Sequence, residues 1–239
     1  MVTDIHSNYT SPAGREYTLL AGRCAGINPA STVLDLCCGY GEGACNLADQ
    51  FRAKITAIDI SDENIQFARA LAQQRSVGHR INWITGDALQ ADLGEVPFEL
   101  VLAEGGAFSY IGRKTGLALA HNRLGSRGWL AFSDLIFYNE KVPDEVRAIF
   151  EDGQYHYETE HSYRQMAVAA GFDIHCMALV PQSGWDNYYA HMARRLEDSK
   201  GFFADKRIKQ AFHKEIDVFY RLEGFRYVGY LFCLARKKL

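Results

Sequence analysis

A glycine-rich loop follows an apolar segment in the first quarter of the chain. Residues 33–43 spell Val-Leu-Asp-Leu-Cys-Cys-Gly-Tyr-Gly-Glu-Gly. Glycine permits positive φ angles and lets a ligand approach the backbone closely. A helix that starts directly after such a loop presents free N–H groups and a partial positive charge, both of which attract a carboxylate or a phosphate. The pattern therefore predicts a cofactor site where a buried strand turns into a helix.

Acidic residues also end the next two apolar segments. Asp59 lies about 20 residues after the loop, where a carboxylate can accept hydrogen bonds from ribose hydroxyls. Gly86-Asp87-Ala88 follows the third segment. A carboxylate beside a small residue can accept from an adenine amino group while a backbone N–H serves a ring nitrogen. Together these residues predict a cofactor that contains adenosine.

The glycine spacing alone fits two classes of cofactor. Gly39, Gly41 and Ala44 satisfy G-x-G-x-x-A, the relaxed fingerprint of dinucleotide-binding folds. Asp35, inside the strand before the glycines, would repel a pyrophosphate but suits the ammonium group of a methionine moiety. Asp35 and the Gly86–Ala88 segment therefore favour S-adenosylmethionine over a nicotinamide dinucleotide.

A second dehydrogenase-like pattern carries little weight. Tyr110 and Lys114 form Y-x-x-x-K, as in short-chain dehydrogenases, but Gly112 interrupts the pattern. The pattern also falls directly after the fourth predicted strand, not on a helix after the fifth. We interpret it as a coincidence, and a nicotinamide-dependent oxidoreductase stays the first alternative function.

Short apolar runs alternate with amphipathic stretches along the chain, which predicts strands and helices in turn. Strands separated by connections long enough for a crossover indicate a parallel sheet covered on both faces, a doubly wound α/β fold. Ser61 is the predicted N-cap of the helix after the second strand. The predicted strands are Thr32–Leu36, Lys54–Asp59, Ile81–Ile84, Phe98–Leu102, one starting at Gly128, Phe172–Val180 and Arg226–Ala235; the other predicted helices are Glu42–Phe51, Gly116–Leu124 and Ser162–Ala170.

The connection before the last strand is unusually long. It spans about 40 residues, which exceeds an ordinary loop and predicts an inserted structural unit. We interpret residues 182–224 as a helical cap over the active site, within a single domain of residues 1–239. A peripheral decoration with no role in substrate binding is the alternative.

The loop resembles motif I of class I S-adenosylmethionine-dependent methyltransferases, a strand ending in V-L-D-x-G-C-G-x-G. Cys37 stands where that motif has its first glycine. The resemblance extends to Asp59, to Gly86-Asp87-Ala88 and to the closing strand, and it covers roughly Ser11–Lys237. Within that family, the chain resembles the small-molecule branch that is related to ubiquinone-biosynthesis-type methyltransferases. This implies a Rossmann-like seven-stranded sheet with an antiparallel last strand, and a mobile amino-terminal helical lid at residues 1–30.

The resemblance also implies roles for individual residues. Asp35, Gly39 and Gly41 would surround the methionine part of the cofactor, Asp59 would hold the ribose and Ile60 would face the adenine. Glu104, after the fourth strand, would lie beside the methionine part and face the acceptor, as a cofactor ligand or as a base. The expected cofactor-binding set is Tyr9, Arg15, Asp35, Cys38, Gly39, Gly41, Asp59, Ile60, Gly86, Asp87, Ala88 and Glu104.

Two clusters of aromatic and polar residues could complete the acceptor pocket. They are Tyr155–His161 and Trp185–His191. Trp185, Tyr188 and Tyr189 share one helical face, so they either line the pocket or anchor the cap on the sheet. The expected substrate-binding set is Tyr110, Tyr157, Trp185, Tyr188 and Tyr189, and the candidate catalytic residues are Glu104, His156 and His191.

Composition excludes several partners. The net charge of −3 and the pI near 6.2 give no electrostatic basis for binding nucleic acid. The segment after the fourth strand, residues 103–110, also lacks the Asn/Asp-Pro-Pro-Tyr/Phe motif of DNA adenine methyltransferases. No apolar run reaches the ~20 residues of a membrane span, and the amino terminus lacks the pattern of a signal peptide. We therefore expect a cytoplasmic enzyme that acts on a small-molecule acceptor, with a homodimer left open.

The 6 cysteines are expected to be reduced thiols. Cys37-Cys38 is not the C-x-x-C spacing that zinc sites favour, so no metal is expected. The expected reaction is in-line transfer of a methyl group from S-adenosylmethionine. Besides the oxidoreductase, the alternatives are a non-catalytic cofactor-binding regulatory module and, because of the cysteines, a metalloid-methylating enzyme.

Overall fold

The computed structural model describes residues 9–94, 97–138, 141–150, 158–198 and 205–239. In chain order the elements are α1 (Arg15–Cys24), β1 (Thr32–Leu36), α2 (Glu42–Phe51), β2 (Lys54–Asp59), α3 (Asp62–Gln74), β3 (Ile81–Thr85), β4 (Phe98–Ala103), α4 (Ala107–Ile111), α5 (Arg113–Arg123), β5 (Leu124–Phe137), α6 (Asp144–Phe150), α7 (Glu160–Ala169), β6 (Phe172–Leu179), α8 (Gln182–Asp198), α9 (Lys206–Arg221) and β7 (Val228–Lys237). Short 3₁₀ turns precede β3 and β7.

The strands form one seven-stranded sheet in the order β3-β2-β1-β4-β5-β7-β6. Strands β1 to β5 run parallel to one another. Strand β7 is antiparallel to both of its neighbours, β5 and β6. The order reverses at β1, between β2 and β4, and ligands of doubly wound sheets bind outside the strand ends at such a switch point. The predicted α/β fold, with its antiparallel last strand, is confirmed.

The central strands are apolar because helices cover both faces of the sheet. One buried cluster includes Leu34, Val101 and Phe132, and a second includes Val33, Leu100 and Ala131. Successive residues of β1, β4 and β5 thus point into different clusters, as the alternation of side chains along a strand requires. The sheet itself is therefore the rigid part of the molecule that fixes where each strand ends.

Helix α1 packs against α2. A Cβ added at Gly22 of α1 would lie 2.4 Å from the ring of Phe51 and 3.0 Å from Leu47. The chain then runs from α1 back to Tyr9 across the end of β1. These contacts place the predicted lid beside the motif I loop; its movement stays a prediction.

Helices α8 and α9 lie in the predicted cap segment and pack against the first residues of β7. Trp185 stacks on Phe219 with 4.9 Å between ring centroids and meets Tyr230 edge-on at 5.8 Å. Tyr189 lies 4.9 Å from Phe219, and its hydroxyl donates to Glu215 at 2.9 Å. Helices α8 and α9 therefore pack against each other and against β7 through these aromatic residues.

Some element boundaries differ from those predicted. The fifth helix begins at Arg113, not at Gly116, because Gly112 at φ +91° supplies its start. Strand β5 begins at Leu124, not at Gly128, and continues to Phe137 because it pairs with β7 along most of its length. Helices α4 and α6 were not predicted; both are short and lack a clear apolar period.

Candidate active site

The glycine-rich loop leaves β1 through a series of left-handed residues. Gly39 has φ +53° and Gly41 has φ +78°, and Gly41 is also the N-cap of α2. The Cys38 N–H donates to Ile58 O of the neighbouring strand, and the Gly41 N–H donates to Cys38 O, both at 2.9 Å. These bonds hold the loop in a tight turn that directs the free N–H groups of α2 towards the switch point.

Cys37 departs from motif I and also adopts a left-handed conformation, with φ +52°. Glycine takes this conformation without penalty, whereas a residue with a Cβ is strained there by roughly 1–2 kcal/mol. The departure is therefore accommodated without a change in the turn.

Gly39 and Gly41 face different surroundings. A Cβ on Gly39 would meet no atom within 4 Å, so this position opens to the pocket. A Cβ on Gly41 would lie 2.5 Å from Trp83 and 2.7 Å from Ala68. Gly41 is thus required by packing, and Gly39 leaves room for a ligand.

We expect Gly41→Ala to lower the free energy of unfolding by about 2–4 kcal/mol, since left-handed strain adds to overpacking. Gly26→Ala is the matched control because Gly26 has φ +67° but a Cβ there would meet nothing within 4 Å. That control should cost about 1 kcal/mol. Urea unfolding followed by circular dichroism measures both. Equal losses would show that packing around Gly41 is looser than described.

Asp59 joins the loop to the start of α3. Its carboxylate accepts from the Gly39 N–H at 2.8 Å, from the Ser61 N–H at 3.0 Å and from Asn64 Nδ2 at 3.0 Å. Ser61 is the N-cap of α3, as predicted, and accepts from the Asn64 N–H at 3.2 Å. Asp59 therefore holds the loop against the start of α3 without any ligand. Its ribose-binding role remains a prediction.

The predicted adenine-side residues lie at adjacent strand ends, since Asp59 pairs with Thr85. Ile60 is 77% exposed, an apolar side chain left open at the edge of the loop. Asp87 accepts from the Leu89 N–H at 2.9 Å and from Gln90 Nε2 at 3.0 Å, so it also caps a turn. Ala88 is buried beneath that turn, and Gly86 donates its N–H to Asp59 O at 2.9 Å. The sequence thus brought together residues that are neighbours in space.

A pocket of about 470 Å³ opens between the loop, the end of β4 and the segment before α1. Two carboxylates point into it. Asp35 Oδ2 and Glu104 Oε1 are shielded from solvent and have no hydrogen-bond partner among the described residues. The pocket is lined by Tyr9, Thr10, Ser11, Asp35, Cys37, Cys38, Gly39, Tyr40, Glu42, Gly43, Glu104 and Gly105.

Both carboxylates approach the same point beside Gly43. A Cβ on Gly43 would lie 3.3 Å from Asp35 Oδ2 and 3.6 Å from Glu104 Oε2. Burial, reinforced by the negative charge of Asp59, raises the pKa of Asp35 to about 7. Burial, reinforced by Asp35 and Glu16, raises the pKa of Glu104 to about 8. A cation bound between them would lower both pKa values, because it favours the ionised forms.

The segment before α1 is tied to Glu104 through two hydroxyls. Thr18 Oγ1 donates to Glu104 Oε2 at 2.6 Å, and Tyr9 Oη lies 2.7 Å from Thr18 Oγ1. Because Thr18 uses its only hydroxyl hydrogen on Glu104, Tyr9 donates to Thr18 and accepts from Asn46 Nδ2 at 3.0 Å. Tyr9 thus lines the pocket, as predicted, and Thr18 is a site residue that the sequence analysis missed.

Arg15 lies outside this pocket. Its side chain is exposed, and Nε donates to Asn46 Oδ1 at 3.1 Å. Asn46 also accepts from Arg75 Nη1 at 3.3 Å, and Arg75 pairs with Glu42 at 2.9 Å. The predicted contact between Arg15 and a cofactor carboxylate has no counterpart in this arrangement and stays a prediction.

Helix α8 presents a second face towards the pocket. A Cβ on Gly184 would lie 2.8 Å from Pro12 O, and the Arg195 guanidinium lies 4.6 Å from the ring centroid of Tyr40. Since Tyr188 and His191 are spaced between these two contacts on the same helical face, they lie over the loop and the segment before α1. Trp185 and Tyr189 lie on the adjacent side of the helix and are only 3% and 2% exposed, inside the aromatic cluster. Tyr188 meets both of their rings, at 6.5 and 5.1 Å between centroids.

His191 has a buried Nε2 with no hydrogen-bond partner among the described residues. Burial and the positive charges of Arg195 and Arg194 lower the pKa of His191 to about 4. The imidazole is therefore neutral at physiological pH, and it serves better as a hydrogen-bonding group than as a strong base.

Of the remaining predicted acceptor residues, Tyr110 is not among those that line this pocket. Tyr110 on α4 is 60% exposed. His156 and Tyr157 lie outside the described residues. Asp35, Glu104 and Tyr9 thus lie around one pocket, and their binding roles stay predictions.

A buried polar network supports the end of β5. Ser109 Oγ donates to Asp134 at 2.8 Å, Arg113 Nε donates to Tyr163 Oη at 2.9 Å, and Tyr163 Oη donates to Asp134. Arg113 Nε also lies 3.5 Å from Asp134 Oδ2. The network joins α4, α5 and α7 to the sheet beneath the turn that follows Glu104.

The cysteines near the loop are poor metal ligands. Burial raises the pKa of Cys37 to about 12, so the group is a thiol and not a thiolate. Within the described ranges, no group of three or more His, Cys, Asp or Glu residues could hold a metal ion. Over the same part of the chain, every helix is too short or too polar to cross a membrane.

A family model places this loop and sheet among known proteins. Residues 33–128, from the second residue of β1 to the fifth residue of β5, match the model described as "Methyltransferase domain". The matched range contains Asp35, the glycine loop, Asp59, Asp87 and Glu104, and therefore every predicted cofactor residue apart from Tyr9 and Arg15.

The curated proteins that this chain resembles share only part of their length with it. The sarcosine/dimethylglycine N-methyltransferase of Halorhodospira halochloris is 25% identical over 150 residues, which cover 62% of this chain and 53% of that protein. The chain spans between a fifth and about half of the length of the curated relatives it matches.

Solved structures extend the likeness to nearly the whole fold. An S-adenosylmethionine-dependent methyltransferase from Thiobacillus denitrificans, in complex with S-adenosyl-L-homocysteine, aligns with a TM-score of 0.79 at 18% identity over 98% of this chain and 95% of that one. The [4+2]-cyclase SpnF aligns with a TM-score of 0.77 at 17% identity, covering all of this chain and 85% of that one. The fold is thus that of class I methyltransferases, and residues outside 33–128 share it.

Proposed function

We propose that this chain transfers the methyl group of S-adenosylmethionine to a small-molecule acceptor. The observation that carries the proposal is a pair of carboxylates beside the left-handed glycine loop, each with one shielded oxygen that has no hydrogen-bond partner among the described residues. A site with two carboxylates and no paired cation suits an ammonium group and repels a pyrophosphate. The match of residues 33–128 to a methyltransferase domain supports the same cofactor.

The residues present fit each part of S-adenosylmethionine. Asp35 and Glu104 would hold the ammonium group, since each has an oxygen without a partner. The open side of Gly39 and the N-terminus of α2 would receive the carboxylate. Asp59 would reach the ribose, Ile60 would cover the adenine, and Asp87 with Ala88 would bind its edge.

S-adenosylmethionine supplies an activated methyl group on a sulfonium centre. The protein therefore has to align the acceptor with that methyl group and exclude water. Tyr9, Tyr40 and Tyr188 would form aromatic walls that favour a cationic sulfur. Glu104 lines the pocket and would also be placed to accept a proton from an acceptor that must lose one.

The acceptor would lie under the inner face of α8, against Tyr188 and His191. Trp185 and Tyr189, on the adjacent side of the helix, would instead hold the cap in place. The relatives named above include an enzyme named for sarcosine and dimethylglycine, which are small molecules. The narrower assignment to the ubiquinone-biosynthesis branch is based on motif I alone, and it stays a prediction, as do a homodimer and a mobile lid.

Calorimetric titration tests the cofactor first. Purified protein is titrated with S-adenosylmethionine, S-adenosylhomocysteine, NADH and NADPH. Micromolar binding of the two sulfur nucleotides alone supports the proposal and justifies a screen of amines, phenols, sterols and quinols with S-adenosyl[methyl-³H]methionine. Binding of a nicotinamide nucleotide alone would return the oxidoreductase as the better hypothesis.

The acceptor screen separates an enzyme from a binding module. Tritium transfer to any acceptor class establishes methyl transfer. Tight cofactor binding without transfer to any acceptor, together with retained binding after removal of the acceptor-side residues Tyr188 and His191, would favour a non-catalytic module. The cyclase among the structural neighbours shows why the fold does not replace this measurement.

A further inference from the structure

Two buried polar side chains connect the segment before α1 to the acidic wall of the pocket. Thr18 of α1 donates from Oγ1 to Glu104 Oε2 at 2.6 Å, and Tyr9 Oη lies 2.7 Å from the same hydroxyl. Asn46 of α2 donates from Nδ2 to Tyr9 Oη at 3.0 Å. Thr18 and Asn46 are only 0% and 3% exposed, so water does not replace either group. A hydrogen-bonded relay therefore runs from α2 through Tyr9 and Thr18 to Glu104.

The amide of Asn46 has one orientation that satisfies its neighbours. Its Oδ1 accepts from Arg15 Nε at 3.1 Å and from Arg75 Nη1 at 3.3 Å, and a guanidinium group can only donate. Its Nδ2 donates to Glu42 Oε2 at 3.4 Å. A flipped amide would place donors against donors, and an oxygen against a carboxylate. Nδ2 is therefore held facing Tyr9.

The relay determines which oxygen of Glu104 is left for a ligand. Among the described residues, Thr18 is the hydrogen-bond partner of the Glu104 side chain, and it occupies Oε2. Oε1 is shielded from solvent and has no such partner. Without the Thr18 hydroxyl, the carboxyl group would turn more freely about its last side-chain bond, whose torsion is broad. The relay thus keeps Oε1 available in a fixed direction.

We propose that Thr18 and Asn46 are positioning residues, which hold Tyr9 across the pocket and Glu104 with one oxygen ready for the ammonium group of the cofactor. The inference rests on the proposed function. Tyr9 and Glu104 line the pocket, whereas Thr18 and Asn46 do not. Thr18 therefore acts on the ligand through Glu104, and Asn46 acts through Tyr9 and Thr18.

Two ligands that differ in the amino-acid part test the role of Thr18. S-adenosylhomocysteine carries the ammonium and carboxylate groups, whereas 5′-methylthioadenosine lacks them. Thr18→Val keeps the shape of the side chain without its hydroxyl, so binding of S-adenosylhomocysteine should weaken by about tenfold. Binding of 5′-methylthioadenosine should change by less than about twofold. Thr18→Ser restores a hydroxyl and should recover most of the lost affinity.

The pH profile is a readout that a loss of packing alone does not move. The hydrogen bond from Thr18 lowers the pKa of Glu104, against the larger effect of burial and the charges of Asp35 and Glu16, which raise it. Removing the hydroxyl therefore raises that pKa further. The affinity of Thr18→Val for S-adenosylhomocysteine should keep rising at a pH where that of the unaltered protein has levelled off. Calorimetry over a series of pH values measures both profiles.

A double-mutant cycle tests the link from Asn46. Asn46→Ala should weaken binding of S-adenosylhomocysteine by about fivefold, since Tyr9 loses a buried hydrogen bond. Arg75 keeps its ion pair with Glu42 in this variant. If Asn46 acts through Thr18, the double variant stays near the tenfold loss of Thr18→Val. Independent effects would multiply to about fiftyfold and would contradict the relay.

Thr32→Val is the matched control for the lost hydroxyl. Thr32 Oγ1 donates to Glu99 Oε2 at 2.6 Å, the same pair of groups at the same distance. Thr32 begins β1, so it lies at the edge of the sheet away from the pocket. This variant should bind both ligands as the unaltered protein does. Thermal unfolding shows which variants are folded, and if either Thr18→Val or Asn46→Ala is not, the ligand comparison on the other decides.

The outcomes separate this inference from the proposed function. Selective loss of S-adenosylhomocysteine binding, with recovery in Thr18→Ser, supports the positioning role. Equal loss of both ligands, no loss of either, or no recovery contradicts it, because a merely structural effect does not distinguish the amino-acid part. Failure of the unaltered protein to bind S-adenosylhomocysteine contradicts the proposed function instead.

Discussion

Affinity for S-adenosylhomocysteine is expected to rise steeply with pH between pH 6.0 and 7.5. In the ligand-free protein the pKa of Asp35 is about 7 and that of Glu104 is about 8, so both are largely protonated at pH 6.0. The ammonium group of the ligand binds only the ionised forms well. Binding must therefore expel protons, and a higher pH makes that step easier.

The size of the rise identifies which carboxylate must ionise. If Asp35 alone loses a proton, the dissociation constant falls about eightfold over this range, and if Glu104 alone does so it falls about twenty-five-fold. Calorimetry at several pH values, repeated in two buffers with different ionisation enthalpies, counts the released protons. The affinity for 5′-methylthioadenosine, which lacks the ammonium group, should not follow this trend. A flat profile for S-adenosylhomocysteine would show that neither carboxylate contacts the ammonium.

The same pKa values determine how the ligand-free protein responds to pH. Both carboxyls bind protons more tightly in the folded chain than in the unfolded chain, whose ordinary values are 3.8 and 4.5. Their contribution to stability is therefore fully present below about pH 4 and is lost as pH rises through about 7 to 8. A bound cation removes this penalty, so the cofactor should stabilise the protein more at pH 8 than at pH 6.

The first half of the chain was predictable because its signals are local. The bounds of β1, α2 and β2 agree with the apolar runs, and Ser61 caps α3 as its type and position indicated. Asp35, Asp59 and Asp87 could be placed from sequence because each lies at or near the carboxyl end of a strand of a parallel sheet. Strand ends at a switch point meet in space whatever the intervening sequence is.

The supporting residues could not be found in this way. Thr18 and Glu104 are 86 positions apart in the sequence. A serine or threonine in a helix or strand gives no sign of the partner that tertiary packing brings to it. The face of α8 that meets the loop was hidden for a similar reason, since the helical pattern does not show that Gly184 contacts Pro12 or that Arg195 lies over Tyr40.

Replacing Glu104 with glutamine should weaken binding of S-adenosylhomocysteine at pH 7.5 by about tenfold to a hundredfold. A charge-assisted hydrogen bond from the ligand ammonium is worth roughly 1.5–3 kcal/mol, and glutamine keeps the size of the side chain without its charge. Glutamine can still accept from Thr18, so the link to the segment before α1 is retained. 5′-Methylthioadenosine should bind the variant as well as it binds the unaltered protein.

Glu16→Gln is the matched control, because Glu16 is exposed on α1 and its charge raises the pKa of Glu104 only as a minor cause. It should leave both affinities nearly unchanged. Glu104→Gln should also remove the steeper part of the pH profile, leaving the shallower rise that Asp35 produces. The ligand-free variant should unfold at a higher temperature than the unaltered protein at pH 8, since no carboxylate then has to ionise at position 104. If the variant instead keeps the full pH profile, Asp35 alone holds the ammonium, and Glu104 is left to face the methyl acceptor.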